Sequence, residues 1–332
     1  MRIDTMTDSP DLDRRAVLRD TSLLAAAAML AQGLPATAQG QQAATSTASP
    51  APPFPGFAAH DVATSAGVTI RAVKGGSGPP LLLLHGAPLT HYTWRDVAPQ
   101  LAEEFTVVAT DLRGYGDSSQ PPGLPDHSNY SKRALALDQV EVMRHFGFER
   151  FAVVGQDRGG RVAHRMALDH AAALTQAVFI DIVPTYYLYT HVTLEFVQAY
   201  FHWFNYLRPA PTPENELLAQ QQAPPASPLS PAQLEYRRRN GTAAGVHAMC
   251  EDYRAGASID LVHDAADLDR RIECPLHVLW AQDGAMARLY DVLPIWRERG
   301  VEVTGKGMPG GHNMQEGAPA EVLAELRAVL RG

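Results

Sequence analysis

From about residue 60 onward, apolar runs and breaks alternate along the chain with two different periods. Residues 62–65 and 68–73 read as paired early strands separated by Ala66-Gly67. Pro80-Leu-Leu-Leu-Leu-His-Gly86 is a continuous apolar run entering a glycine-containing loop, the pattern of a strand covered on both faces. A further strand is predicted over 105–110, a helix over 130–146, a strand over 151–154, a helix through 162–170, and a strand over 177–180 that ends at Asp181. Apolar strands separated by helices predict a mostly parallel sheet with helices on both faces. The rhythm stops between 183 and 255, where Tyr, Phe, Trp and Pro are dense, Pro209-Ala-Pro-Thr-Pro213 reads as loop, 220–231 is polar and a charged helix is expected over 231–240. It resumes at 276–280 and 301–304 and closes with a helix over 318–330. The expected organisation is therefore an α/β core formed by 57–182 and 256–332, interrupted by a helical cap over 183–255 whose aromatic side chains would roof a site and exclude water.

The N-terminus follows another logic. Asp13-Arg-Arg-Ala-Val-Leu-Arg19 precedes an apolar run over 23–30, and Pro35-Ala-Thr-Ala38 ends in a small-x-small pattern suited to signal peptidase. Paired arginines, a moderately apolar stretch and a cleavage site in that order match a twin-arginine export signal over 1–38, cut near Ala38. This predicts engagement with the export machinery and a periplasmic mature protein. The apolar run is too short to span a bilayer comfortably. Residues 39–56, rich in Gln, Ala, Ser, Thr and Pro, read as a flexible linker.

In a chain of 332 residues, an apolar fraction of 45% suits a globular core, and a formal charge of -8 supplies no attraction to nucleic acid or an anionic membrane. Small molecules are the expected partners, and a homodimer is left open. Of the two cysteines, Cys274 opens an apolar strand and Cys250 lies in a predicted helix, so buried free thiols are favoured over a disulfide.

The chemistry centres on Phe151-Ala-Val-Val-Gly-Gln-Asp-Arg-Gly-Gly-Arg161, a strand that breaks at Gly155 and restarts as a helix after Gly159. This is the Gly-x-nucleophile-x-Gly elbow of an α/β-hydrolase with Asp157 where an esterase carries serine. A carboxylate there can displace a leaving group from saturated carbon and be released by ester hydrolysis, a route suited to halides or epoxides. The competing role for Asp157 alone is a helix N-cap. His312, after Pro309-Gly-Gly311, sits where imidazole could activate water, and a surface histidine is its alternative. Asp181 and Asp283 occupy two strand-end positions from which an acid could orient that histidine. Arg158 and Arg161, three apart at the start of one helix, can converge on a carboxylate, or else pair with internal acids such as Asp169.

Together these residues resemble the haloacetate dehalogenase branch of the α/β-hydrolases, in particular the fluoroacetate dehalogenases, from about Phe57 to the C-terminus. The resemblance is carried by His85-Gly-Ala-Pro88, Asp111-Leu-Arg-Gly-Tyr-Gly-Asp-Ser118, Asp157-Arg-Gly-Gly-Arg161, Asp181-Ile-Val-Pro-Thr185, His202-Trp203, Cys250-Glu-Asp-Tyr-Arg-Ala255 and Gly311-His312. It implies Asp157 as nucleophile, His312 as base, and Asp181 rather than Asp283 as the orienting acid. It further implies a substrate carboxylate on Arg158 and Arg161, a halide pocket of His202, Trp203 and Tyr253, and oxyanion donors in the backbone N–H groups of Ala87 and Arg158. The substrates implied are a short 2-haloacid and water, the products a 2-hydroxyacid and halide, with no metal or organic cofactor. Two positions depart from the family pattern: Gln156 stands where histidine usually precedes the nucleophile, and Ala87 where a bulky aromatic is usual, which would enlarge the acyl pocket. The alternatives are an epoxide hydrolase using the same aspartate, with Tyr186, Tyr189 or Tyr253 as proton donors, and an exported binding protein without turnover.

Overall fold

A computed structural model describes residues 54–331, so the expected export signal and residues 39–53 of the expected linker lie outside the described residues. Phe54, assigned to that linker from composition, is buried against Phe57, His91 and Tyr92. Eight strands, β1 (Phe57–Ala63), β2 (Thr69–Gly75), β3 (Pro80–Leu84), β4 (Thr106–Thr110), β5 (Phe151–Gln156), β6 (Leu174–Ile180), β7 (Leu276–Ala281) and β8 (Val303–Met308), form one sheet in the order β1-β2-β4-β3-β5-β6-β7-β8. β1 pairs antiparallel with β2, and β2 with β4; the remaining pairs are parallel. The chain thus has the α/β-hydrolase architecture, a mostly parallel sheet flanked by helices.

The apolar run of β3 explains why it lies inside the sheet. Successive side chains point to opposite faces, so Leu82 and Leu84 join the core with Val108, Val153 and Phe179, while Leu81 and Leu83 join Val107, Val154 and Val178 on the other side. β8 is less visible in the sequence because it is an edge strand in which exposed and half-covered residues alternate through Val-Thr-Gly-Lys-Gly-Met.

The helix Lys132–His145 starts where Ser131 accepts a hydrogen bond from the Ala134 N–H at 3.2 Å, a side-chain N-cap. Between β6 and β7 the chain forms the cap helices Thr185–Thr190, Leu194–Ala199, Phe201–Tyr206, Thr212–Gln222, Pro231–Asn240 and Ala243–Gly256. One of them begins inside the proline-rich stretch expected to be loop: Pro213 falls in the first helical turn, where a missing N–H costs nothing. Cys250 and Cys274 are both buried and free, and burial pushes their thiols up to about 12 and about 11, which leaves them protonated.

Candidate active site

β5 delivers Asp157 at its C-terminal end, and the helix Arg158–Asp169 begins at the next residue. The turn needs φ 47° and ψ -115° at Asp157, a strained conformation for a residue with a side chain. The flanking glycines make it possible by close packing: a Cβ on Gly159 would lie 2.6 Å from the carbonyl oxygens of Leu84 and His85, and one on Gly155 2.4 Å from the Gly159 oxygen. Asp157 makes no side-chain cap bond to its helix, so the N-cap role does not describe it. Its Oδ2 instead accepts a hydrogen bond from the Ala87 N–H at 3.1 Å. The Arg158 N–H, at the first helical position, has no intrahelical acceptor and belongs to the same end of the helix.

Burial pushes the Asp157 carboxyl up. The charges of His312, Arg158 and Arg161 and the Ala87 N–H outweigh that and hold it below its ordinary value, so it is ionised at neutral pH. Even so, among the described residues no guanidinium lies within salt-bridge distance of it.

His312 follows β8 on a loop and meets Asp181, which stands just beyond β6. His312 Nδ1 donates to Asp181 Oδ2 at 2.6 Å, and the other carboxylate oxygen accepts from the Ala281 N–H at 2.9 Å. Desolvation lowers the imidazole's affinity for a proton, but 42% of its side chain stays open, and the hydrogen bond and charge of Asp181, aided by Asp157, push it up to about 9. With Nδ1 engaged, Nε2 is the nitrogen left for chemistry. Asp283 is exposed on the turn after β7, where it accepts a bond from its neighbour Gln282 at 3.3 Å and makes no contact with His312. Of the two acids weighed from the sequence, the structure brings only Asp181 to the histidine.

Arg158 is buried with its guanidinium 3.5 Å from the centre of the Tyr253 ring and 4.7 Å from that of Trp203. Its Nε lies at ion-pair distance, 3.3 Å, from Asp252 Oδ2, and neither Nε nor Nη2 has a hydrogen-bond partner among the described residues. Arg161 lies 4.9 Å from the Trp203 ring centre and gives Nη1 to the Val183 carbonyl at 3.1 Å and Thr185 Oγ1 at 2.9 Å, leaving Nε unpartnered. Asp169, the alternative partner of these arginines, is taken by Arg133 and Arg165. His202, Trp203 and Tyr253 form one aromatic group, with ring centres 6.0 Å apart for His202 and Tyr253 and 5.6 Å for Trp203 and Tyr253. Burial and the Arg158 charge bring His202 down to about 4, so it is neutral at pH 7. Tyr189 lies tilted beside Trp203, ring centres 5.8 Å apart, and its buried hydroxyl has no hydrogen-bond partner among the described residues. Tyr186 lines a different cleft, with His164, Pro184 and Arg299.

Three further residues support the site. Gln156 Nε2 donates to the His312 carbonyl at 3.1 Å and to Asn313 Oδ1 at 3.2 Å, so the residue before the nucleophile holds the loop that carries the base. Asp252, wholly buried, binds Lys132 Nζ, accepts from the Tyr115 hydroxyl at 3.0 Å and faces Arg158. Asp111, at the end of β4, is held well below its ordinary value despite its burial, chiefly by His91, whose Nδ1 lies 2.7 Å away; its other oxygen accepts from the Asp117 N–H, which makes it a loop anchor. The signal for Asp252 was its place in a helix beside a predicted pocket tyrosine, but its partners come from remote segments.

The sheet order, the elbow and the aspartate-oriented histidine define a hydrolase of the α/β class, and the chain belongs to the α/β hydrolase fold family, whose model matches residues 79–299. It is 45% identical over 275 residues to a fluoroacetate dehalogenase from Burkholderia sp, covering 79% of this chain and 90% of that protein. It is 31% identical over 285 residues to a soluble epoxide hydrolase from Corynebacterium sp. (strain C12), covering 80% and 94%. A crystal structure of an α/β hydrolase from Nostoc sp PCC 7120 superposes with a TM-score of 0.79 at 47% identity, covering 83% of this chain and 99% of that one.

Proposed function

We propose that this protein hydrolyses the carbon–halogen bond of a short 2-haloacid, of haloacetate or fluoroacetate type, through an ester on Asp157. The observation that carries this reading is the pair of buried guanidiniums, Arg158 and Arg161, that flank an ionised Asp157 without pairing to it and retain unpartnered N–H groups. A buried cation without a full set of partners is costly unless an anion arrives. A haloacid brings a carboxylate; an epoxide brings no charge.

In the proposed cycle the substrate carboxylate binds Arg158 and Arg161. With Oδ2 engaged by Ala87, Oδ1 of Asp157 attacks the halogen-bearing carbon, and the carbon–halogen electron pair leaves as halide. His202, the Trp203 indole N–H and the Tyr253 hydroxyl are the donors proposed to meet that charge as it develops. Next, His312 Nε2 takes a proton from water while the water oxygen adds to the Asp157 ester carbonyl. The resulting oxyanion is held by the backbone N–H groups of Ala87 and Arg158. Collapse expels the 2-hydroxyacid oxygen, which takes the proton back from His312; the Asp157 carboxyl, now carrying one oxygen from solvent, releases the second proton of that water to bulk solvent and the ionised nucleophile is restored.

The base must be neutral for the second half of this cycle, although it holds a proton strongly in the resting enzyme. Esterification works against this hold on the proton, although Asp181 remains the larger raising influence. Converting Asp157 to an ester removes one of the negative charges that raise His312, so the ring becomes easier to deprotonate when water activation requires it.

The epoxide reading is favoured by one feature, the unpartnered hydroxyl of Tyr189 beside Trp203, a donor that an opening ring could use. A His312→Asn variant separates the readings. Incubated with chloroacetate, it is expected to accumulate a carboxymethyl ester on Asp157, detected by peptide mass spectrometry. Adducts from small epoxides with none from chloroacetate or fluoroacetate would replace the haloacid reading with the epoxide one. No adduct from any of them would favour a binding protein without turnover. We further propose that the mature protein acts after export, since the paired arginines and apolar run precede the folded body.

A further inference from the structure

We infer that Asp252 is a positioning residue for substrate recognition, fixing the direction in which Arg158 presents its N–H groups to the substrate carboxylate. The inference rests on the haloacid reading and deepens it.

A guanidinium is planar, and its usefulness as a fork depends on where its edge points. The guanidinium carbon of Arg158 lies 3.5 Å from the Tyr253 ring centre and 4.7 Å from the Trp203 ring centre. Those contacts hold the group against the rings and leave the direction of its N–H edges to a further restraint. Asp252 supplies it as an ion pair, with Oδ2 3.3 Å from Nε, while neither Nε nor Nη2 has a hydrogen-bond partner among the described residues.

Asp252 is itself held from both ends. Tyr115 donates its hydroxyl to Oδ2 at 3.0 Å, and Lys132 Nζ binds Oδ1. Lys132 is tied to Asp260, whose Oδ1 accepts the Lys132 backbone N–H at 2.7 Å and whose Oδ2 lies 3.5 Å from Nζ. Arg158, Asp252, Tyr115, Lys132 and Asp260 are all buried. Burying a carboxylate is expensive unless it is fully engaged, and here the engagement ends at the cation proposed to hold the substrate. Asp252 and Tyr253 are adjacent on the helix Ala243–Gly256, so one short segment brings both the ring and the carboxylate against the guanidinium.

The test compares chloroacetate with chloroacetamide, which carries the same leaving group and no charge. In a His312→Asn background, the second-order rate of Asp157 alkylation is measured for each reagent by peptide mapping, with and without Asp252→Asn. The expected result is a fall of roughly tenfold in the chloroacetate-to-chloroacetamide rate ratio, the size of effect that misaligning one charge-assisted contact produces. The loss should appear in the concentration of chloroacetate needed for saturation more than in the limiting rate. A general structural role would slow both reagents in proportion, and an unchanged ratio overturns the inference. If Asp252→Asn does not fold, Tyr115→Phe removes only the hydroxyl on Oδ2 and is expected to lower the same ratio by roughly threefold; an unchanged ratio there overturns the inference equally. Absence of any chloroacetate adduct in the parent variant is a different result, which removes the haloacid reading itself.

Discussion

A nucleophilic carboxylate must remain ionised although it is buried, and Asp157 does so by sharing the field of three cations without a contact ion pair to either arginine. The same field ties the nucleophile to the base. His312 rises to about 9 against the desolvation that would lower it, because Asp181 bonds it and Asp157 adds negative charge; Arg161 opposes them. Asp157→Asn deletes one of the raising charges, so the His312 proton should dissociate at lower pH. Histidine NMR titration of the two proteins measures this, and an unchanged midpoint would break the electrostatic link by which the ester makes the base easier to deprotonate. Gln156 acts on the same histidine through its backbone. Gln156→Leu removes the bonds to the His312 carbonyl and Asn313, and a base displaced by a fraction of an ångström should slow ester hydrolysis by about tenfold or more. Rapid-quench mass spectrometry should then find the Asp157 ester accumulating in an otherwise wild-type chain; loss of alkylation instead would place Gln156 in the first chemical step.

The elbow is the element most readable from sequence, because its demands are local. Gly155, Gly159 and Gly160 surround Asp157 within one strand-to-helix turn, and the helix that follows has no room for a side chain against the loop after β3. Gly159→Ala would force a Cβ to 2.6 Å from backbone of Leu84 and His85, contacts that cannot be relieved by a rotamer change. The expected cost is about 2–3 kcal/mol, measurable by urea unfolding, together with displacement of the Ala87 N–H that lies just beyond that backbone. Stability within error of wild type would mean that the loop yields freely. Other parts were hidden for a physical reason. Periodicity reports burial of a whole face, so it found β3 and β5 but blurred β8, an edge strand with alternating exposure. The choice between Asp181 and Asp283 could be narrowed only by resemblance, since both follow strands; only the fold decides which carboxylate reaches His312. Asp252, Tyr115 and Lys132 are far apart in sequence and carry no shared pattern, so their meeting beneath Arg158 required the packed molecule.

At the scale of the whole molecule, the core and the cap each hold half of the proposed reaction. The core supplies Asp157, His312, Asp181 and the two arginines, whereas His202, Trp203 and Tyr253 come from cap helices. The cap must therefore be seated accurately, and one of its seats is Asn240, the last residue of the helix Pro231–Asn240. Asn240 Nδ2 donates to the Pro88 carbonyl at 2.6 Å and the Leu89 carbonyl at 3.2 Å, and its Oδ1 accepts the Gly116 N–H at 2.8 Å. These bonds reach the segment immediately after Ala87, whose N–H already holds an Asp157 oxygen. Asn240→Ala should cost about 1–3 kcal/mol by leaving buried backbone groups unsatisfied, which calorimetry would register as a lower Tm. Its kinetic effect should be selective as well. The Ala87 N–H faces the largest charge when the oxyanion forms, so ester hydrolysis should slow more than alkylation does. Single-turnover traces resolving both steps would measure that difference. Equal slowing of the two would mean that the cap simply covers the site, with no mechanical grip on the oxyanion loop.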